Sequence, residues 1–317
     1  MTLLLKRADL APLFHEPALI DESLDVIRQA LRTSAGNPPE HTSFLAYPLG
    51  LATDTRLHIN VLASAAGTSL KLFPPAAGPT VATGDSVGLL YDEEGRLVAI
   101  MDLHGLGSWR TSAPAAVACA ALAPAGARVA AMLGSGREAH VMLRALRAAM
   151  SGLGDVRVYS RTPENRRRFA DEMTTTSLPV SAVEDPREAV AGADVVCVTA
   201  SAPAPLFEAQ AVRPGAVVAS IVAQGVPRDL PARPVIPDQN GPETRPSGWD
   251  PWPTGGWTRP ADILTLADVL RGAPPRRDPA ETLLYTQFGA FAWDGPLTRW
   301  AYETAQARGA GTPFDFD

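Results

Sequence analysis

The sequence predicts an α/β protein in which a doubly wound parallel sheet is joined to an α+β domain, and three observations carry that prediction. Residues 128–139 read Arg-Val-Ala-Ala-Met-Leu-Gly-Ser-Gly-Arg-Glu-Ala, a short apolar run entering a Gly-x-Gly-x-x-Ala turn ahead of a helical stretch. From 127 to 223 the chain alternates strand-length apolar runs with helical patterns. Ahead of that section, strand-like pieces follow one another, as in an α+β domain.

Taken in order, residues 21–32 form an amphipathic helix, with Leu24, Ile27 and Leu31 on one stripe. Residues 88–91 and 97–101 are apolar and flank the turn Asp92-Glu93-Glu94-Gly95, a hairpin signal. The Ala-rich stretch 113–122 reads as a helix leading into the first strand of the alternating section. Strands are expected there at 127–133, 156–160, 194–199 and 216–221, with helices at 138–150, 163–173 and 186–191. Most of these strands show little alternation, as parallel strands covered on both faces do. Helices between such strands imply right-handed crossovers and an open sheet of Rossmann type. Residues 234–260 are loop-like, yet carry Trp249, Trp252 and Trp257; these either anchor the loop or line a cleft. The tail is helical again from 297 to 308 and returns to the first domain. The expected domains are 1–122, completed by a C-terminal helix at 295–317, and a dinucleotide-binding domain at 123–294.

The composition narrows the function. The chain has 317 residues, 46% hydrophobic and 20% charged, the balance of an ordinary globular protein. A net charge of −6 and the lack of a basic, aromatic-interleaved run argue against a nucleic-acid partner. No apolar run is long enough to span a bilayer, and residues 1–7 lack a signal-peptide pattern, so no membrane partner and a cytoplasmic location are expected. Cys119 and Cys197 sit apart in apolar surroundings and read as buried thiols; no His or Cys spacing suits a metal.

The turn itself has a chemical reading. Gly134 allows the tight strand-to-helix turn, Gly136 lets the backbone approach a pyrophosphate, and Ala139 lets the helix pack closely on the sheet. The phosphates would sit at the helix N-terminus, beside Ser135, Arg137 and Glu138. Cofactor choice is read at the end of the next strand, where an acidic residue would bind the ribose hydroxyls of NAD. Here stand Ser160, Arg161 and Thr162, with Arg166 and Arg167 nearby, a set suited to a 2′-phosphate; NADP(H) is favoured over NAD(H). Thr199, at the end of the third strand candidate, and Ala200 and Ser201 just after it are further cofactor candidates.

Several separate stretches together resemble the ornithine cyclodeaminase/mu-crystallin family. They are Ser69-Leu70-Lys71-Leu72, Ala99-Ile100-Met101-Asp102, Trp109-Arg110-Thr111-Ser112-Ala113, the turn Gly134–Ala139, Phe288-Gly289-Ala290-Phe291-Ala292-Trp293-Asp294, and Gly309-Ala310-Gly311. The resemblance implies NAD(P) binding, hydride chemistry at an amine or imine carbon, and a homodimer built through the non-nucleotide domain, which would also bind substrate. It adds Thr111 and Asp294 to the cofactor contacts and places Lys71 and Arg110 at the substrate. Arginine offers a planar fork suited to a carboxylate, whereas Lys71 can either hold a carboxylate or deliver a proton to nitrogen or water.

Two departures from the family pattern matter. Cyclodeaminases of the family place an Asp where this chain has Gln224, and an amide cannot take a proton from an amine. Family members often carry an Arg after the prolines at 38–39, where Glu40 and His41 stand here, which weakens selection for simple amino-acid carboxylates. The expected function is therefore an NAD(P)H-dependent oxidoreductase on C–N bonds, with a small imine or amine as substrate and Lys71, Arg110 and Gln224 as catalytic candidates. A cyclodeaminase that recycles NAD, with Gln224 only positioning water, and a non-catalytic nucleotide-binding protein are the alternatives.

Overall fold

A computed structural model describes residues 1–34, 41–48, 55–64, 67–77, 85–222, 225–238, 263–287 and 292–315. It has the α/β fold expected and divides into two compact units, Met1–Arg110 with Gly289–Asp317, and Thr111–Phe288.

Unit 1 is built on a seven-stranded sheet. In chain order its strands are β1 (Thr2–Leu5), β2 (His41–Pro48), β3 (Thr55–Ser64), β4 (Gly67–Ala77), β5 (Val87–Tyr91) and β6 (Leu97–Asp102), and β15 (Thr312–Phe314) closes the chain. They lie in the order β15-β1-β6-β5-β4-β3-β2; β1 runs parallel to β6 and the other pairs are antiparallel. The unit's helices are α1 (Arg7–Leu10), α2 (Pro17–Ser34), the first turns of α3 (His104–Leu122), and α8 (Asp294–Ala307). Helix α2 buries Leu24, Ile27 and Leu31 completely, the stripe the spacing predicts, each contributing about 2 kcal/mol. Trp109, at the start of α3, stacks on Phe14 at 5.4 Å and donates to Ser23 Oγ at 3.0 Å. Helix α8 packs on α2, β3 and β4, and Gly295 permits the close approach: a Cβ there would lie 2.2 Å from Leu62 Cδ2.

Unit 2 holds an eight-stranded, wholly parallel sheet ordered β13-β12-β14-β11-β10-β7-β8-β9. Its strands are β7 (Val129–Leu133), β8 (Asp155–Tyr159), β9 (Val180–Ala182), β10 (Val195–Val198), β11 (Val217–Ser220), β12 (Ala232–Ile236), β13 (Leu264–Thr265) and β14 (Thr282–Thr286). Helices α4 (Arg137–Ala149), α5 (Pro163–Met173), α6 (Pro186–Val190) and α7 (Leu266–Leu270) lie between them in the chain. Leu133, Val196, Val198 and Val218 form one fully buried cluster, as doubly covered strands require. The strand order reverses between β7 and β10, the place where open α/β sheets bind ligands.

Four expectations need correction. The first boundary falls at 110/111, inside α3, because Leu122 O and Thr111 O accept hydrogen bonds from Arg276 and Gln287 of unit 2. The second falls at 288/289, because Asp294 is tied to residues of unit 1. The C-terminal helix spans Asp294–Ala307 instead of 295–317, and Gly309 (φ 67°) and Gly311 (φ 94°) turn the chain into β15. Pro234 lies within β12 beside β14, so the expected loop at 234–260 begins as a buried strand; Trp249, Trp252 and Trp257 lie outside the described residues.

Candidate functional site

Unit 1 brings Lys71, Arg110 and Asp294 together in a buried ionic cluster. Lys71 lies mid-way along β4, opposite Asn60 of β3 and Gly88 of β5, on the face that also carries Ser69. Its Nζ donates to Asp294 Oδ1 at 2.8 Å. Arg110 donates from Nε to Oδ1 at 2.8 Å and from Nη2 to Oδ2 at 3.0 Å, a two-pronged grip on the same carboxylate. The Lys71 and Asp294 side chains are 5% and 2% exposed, so water contributes little to solvating these charges.

The backbone around the cluster explains its geometry. Pro114 sits inside α3 and has no N–H to return to the carbonyl of Arg110, four residues earlier. That carbonyl instead accepts the indole N–H of Trp293 at 3.0 Å. Trp293 is fully buried and precedes Asp294, which opens α8, where the positive end of the helix dipole favours a carboxylate. Thr298 Oγ1 donates to Asp294 O at 2.6 Å and fixes that first turn.

Burial opposes ionisation of Asp294, but the charges of Arg110 and Lys71 and their hydrogen bonds outweigh it and hold the carboxyl well below the usual range. For Lys71 the balance is reversed. Burial lowers the ammonium's pKa, Asp294 raises it, and the like charge of Arg110 lowers it again, leaving the group below its ordinary value. The two cations lower the Asp294 pKa, whereas burial first and Arg110 second lower that of Lys71 against the pull of Asp294. Removing one partner of such a buried set costs about 3–5 kcal/mol, because charges are left unpaired.

Unit 2 brings together a second set. Gly134 adopts φ 129°, and a Cβ there would lie 2.3 Å from Thr199 Oγ1 and 3.0 Å from Ala200 N, so only glycine fits. Thr199 N and Ala200 N both donate to Leu133 O at 3.0 Å, drawing the ends of β7 and β10 together at the switch point. Gly134 N donates to Tyr159 O at 2.9 Å, and Ser135 Oγ to Ser160 Oγ at 2.8 Å, which joins the turn to the end of β8. Gly136 caps α4 without a side chain, and a Cβ on it would meet no described atom within 4 Å. Ala139 is fully buried. These residues fit a dinucleotide turn in kind: a glycine at positive φ, a helix start without a side chain and a hydroxyl beside it.

The remaining candidates are placed as follows. Glu138 accepts from Ser112 Oγ at 2.9 Å and lies 3.5 Å from Arg137 Nε. Arg161, Thr162 and Ser201 are exposed. Arg166 is buried; it donates to Ser160 O at 2.9 Å, pairs with Glu184, and lies over the Tyr159 ring at 5.9 Å, so it braces β8. Cys119 and Cys197, far apart in sequence, are free and buried, and the neighbouring Cys197 together with burial pushes the Cys119 thiol up. Glu40 and Gln224 lie outside the described residues, and for His41 only the backbone is described, at the first position of β2. Among the described residues no group of His, Cys, Asp and Glu could hold a metal, and no helix is long and apolar enough to cross a membrane.

Sequence reasoning set Asp294 among the cofactor contacts and missed both its grip on Lys71 and Arg110 and the part played by Trp293. Two signals were present. A lone carboxylate in an apolar block needs a cationic partner, and a proline in an Ala-rich helix frees a carbonyl four residues back.

The ornithine cyclodeaminase/mu-crystallin family profile matches residues 75–309. Ketimine reductase mu-crystallin of Mus musculus is 34% identical over 136 residues, 43% of this chain and 42% of that protein. Delta(1)-pyrroline-2-carboxylate reductase of Paracoccus denitrificans is 29% identical over 173 residues, 54% of each chain. The chain thus spans about half or less of the length of these curated relatives. Among solved structures, Thermococcus litoralis Delta(1)-pyrroline-2-carboxylate reductase, in complex with NADH and L-proline, superposes with a TM-score of 0.82 over 99% of this chain and 100% of that one. At 22% identity that likeness is one of fold.

Proposed function

The chain belongs to the ornithine cyclodeaminase/mu-crystallin family, and on that premise we propose that it is an NAD(P)H-dependent oxidoreductase of C–N bonds that reduces an imine. The observation that carries this reading is the buried Lys71–Asp294–Arg110 cluster, a proton donor held by fixed partners in a chain whose other unit carries a dinucleotide turn. A reduced nicotinamide dinucleotide, when bound, supplies the hydride that adds to the carbon of the C=N bond. Lys71 supplies the proton: an Nζ–H bond breaks, an N–H bond forms on the substrate nitrogen, and solvent returns a proton to the lysine. Burial, which lowers the ammonium's pKa, makes it a readier donor near neutral pH. Asp294 and Arg110 act through Lys71, fixing its position and its charge.

Gln224 supports reduction over cyclodeamination, since reduction requires no carboxylate at that place and proton abstraction from an amine does. The test is net nicotinamide oxidation with a panel of cyclic imines, beside ornithine with catalytic NAD. The reading expects turnover with an imine and no proline from ornithine; efficient proline formation would overturn it.

For the cofactor we favour NADP(H) over NAD(H): Ser160 and the exposed Arg161 offer a hydroxyl and a guanidinium at the end of β8, with no carboxylate at 160–162. A homodimer through unit 1 is supported by the second face of its sheet. Ile59, Val61, Leu70, Leu72, Leu89 and Ile100 form neighbouring cross-strand pairs there and stay part-exposed, while the alternate residues of the same strands are buried. The free thiols support a reducing compartment such as the cytoplasm.

A further inference from the structure

We propose that Asn60 is a substrate-binding residue whose side-chain carbonyl accepts a hydrogen bond from the N–H that forms on the substrate nitrogen as Lys71 gives up its proton; this deepens the reductase reading above and rests on it. Asn60 lies on β3 directly opposite Lys71 of β4. Opposite residues of an antiparallel pair share one face of the sheet, with their Cβ atoms about 5 Å apart. Asn60 is 5% exposed, and His58 and Leu62, its neighbours along β3 on that face, are buried as well. Its Oδ1 is buried and meets no hydrogen-bond donor among the described residues. Buried polar atoms in native folds nearly always have a partner, and here the substrate supplies the missing donor.

The β5 flank of Lys71 is apolar. Its partner there is Gly88, and the space a side chain at that position would fill is taken: an added Cβ would lie 2.8 Å from Leu103 Cδ2 and 2.9 Å from Met101 Cγ. A substrate nitrogen that reaches Lys71 therefore finds its next polar contact on the β3 side, at Asn60. Lys71 has three donors, and Asp294 accepts one of them. When an Nζ–H bond breaks and an N–H bond forms on the imine nitrogen, the lysine is left as the neutral amine and the new iminium N–H is a charged donor. An amide oxygen suits it. The negative end of the amide dipole stabilises the positive charge building on nitrogen, and the amide is too weak a base to carry the proton away.

The test is Asn60→Leu in the full chain, followed with NAD(P)H and the best imine of the panel. The acceptor meets an N–H that exists only once the proton has moved. Accordingly kcat should fall about 10–100-fold, while KM and dinucleotide affinity change by less than about threefold. Ring analogues separate this role from a structural one. With oxidised cofactor present, calorimetry compares pyrrolidine, which carries an N–H donor, with tetrahydrofuran, the same ring without one. Asn60→Leu should lower the amine-to-ether affinity ratio by about tenfold, whereas a distorted site would weaken both alike and overturn the assignment. Asn60→Ala, which adds no bulk, gives the same reading if the leucine variant does not fold. Parental kcat, or an unchanged ratio, in a folded variant overturns the assignment and leaves the reductase reading standing. A parent chain that reduces no imine overturns that reading, and the assignment falls with it.

Discussion

At Lys71 the environment sets the charge on which the proposed proton delivery depends. Proton delivery requires the ammonium, and its pKa is lowered first by burial and then by Arg110, with Asp294 pulling the other way. The active form is therefore present at low pH and is lost as pH rises through that lowered value, so imine reduction should show an alkaline limb earlier than an ordinary lysine gives. Lys71→Ala should cut kcat by about 10²–10⁴-fold, abolish that limb and leave cofactor affinity nearly intact. A variant that keeps the parental kcat and limb would remove Lys71 from the chemistry. At Arg161 the question is the cofactor. Arg161→Asp should reverse or erase a preference for NADP(H), because a carboxylate repels the 2′-phosphate and can bind the ribose hydroxyls. Equal affinity of the parent chain for both dinucleotides, measured by calorimetry, contradicts that account.

Among the elements, legibility followed the kind of signal each carries. Parallel strands buried on both faces stand out as Val and Ala runs, so β7, β10 and β11 are readable within a residue or two, and the helix at Pro163–Met173 is delimited by its own proline. Strand β12 was hidden because Arg233 and Pro234 break its apolar run; both pair with β14 only, since β13 meets β12 at Val235 and Ile236, so Pro234 stands on an edge of the ladder there. Strand β15 was hidden because three residues carry no periodicity, and it exists through its pairing with β1. Lys71 and Arg110 were legible through the motifs around them. The sequence offered Asp294 as a cofactor contact and not its ion pairs, since its partners are 223 and 184 positions away and no local pattern encodes a contact at such separation. The apolar face of β3 to β6 makes its own prediction. Leu70→Lys together with Ile59→Lys should shift the protein from dimer to monomer in sedimentation with little change in dinucleotide affinity. A parent chain that sediments as a monomer contradicts the proposed dimer.

At the scale of the whole molecule the proposed labour is divided between two units, of which unit 1 is discontinuous in sequence and unit 2 continuous. Helix α3 belongs to both: it places Arg110 in unit 1 and Ser112, bonded to Glu138, in unit 2. A boundary drawn from composition at 122/123 could not show this, because the helix crosses the division without interruption. The central claim, that unit 2 holds a hydride donor and unit 1 the acid for an imine nitrogen, is tested most directly by following the hydride. NADPH deuterated at the transferred position is incubated with the best imine of the panel, and the product is examined by mass spectrometry against the amount of nicotinamide oxidised. The account predicts a single deuterium on the former C=N carbon for each NADPH consumed, with the nitrogen-bound hydrogen derived from solvent. Cofactor that is not consumed, with ornithine instead converted to proline and ammonia, would contradict it.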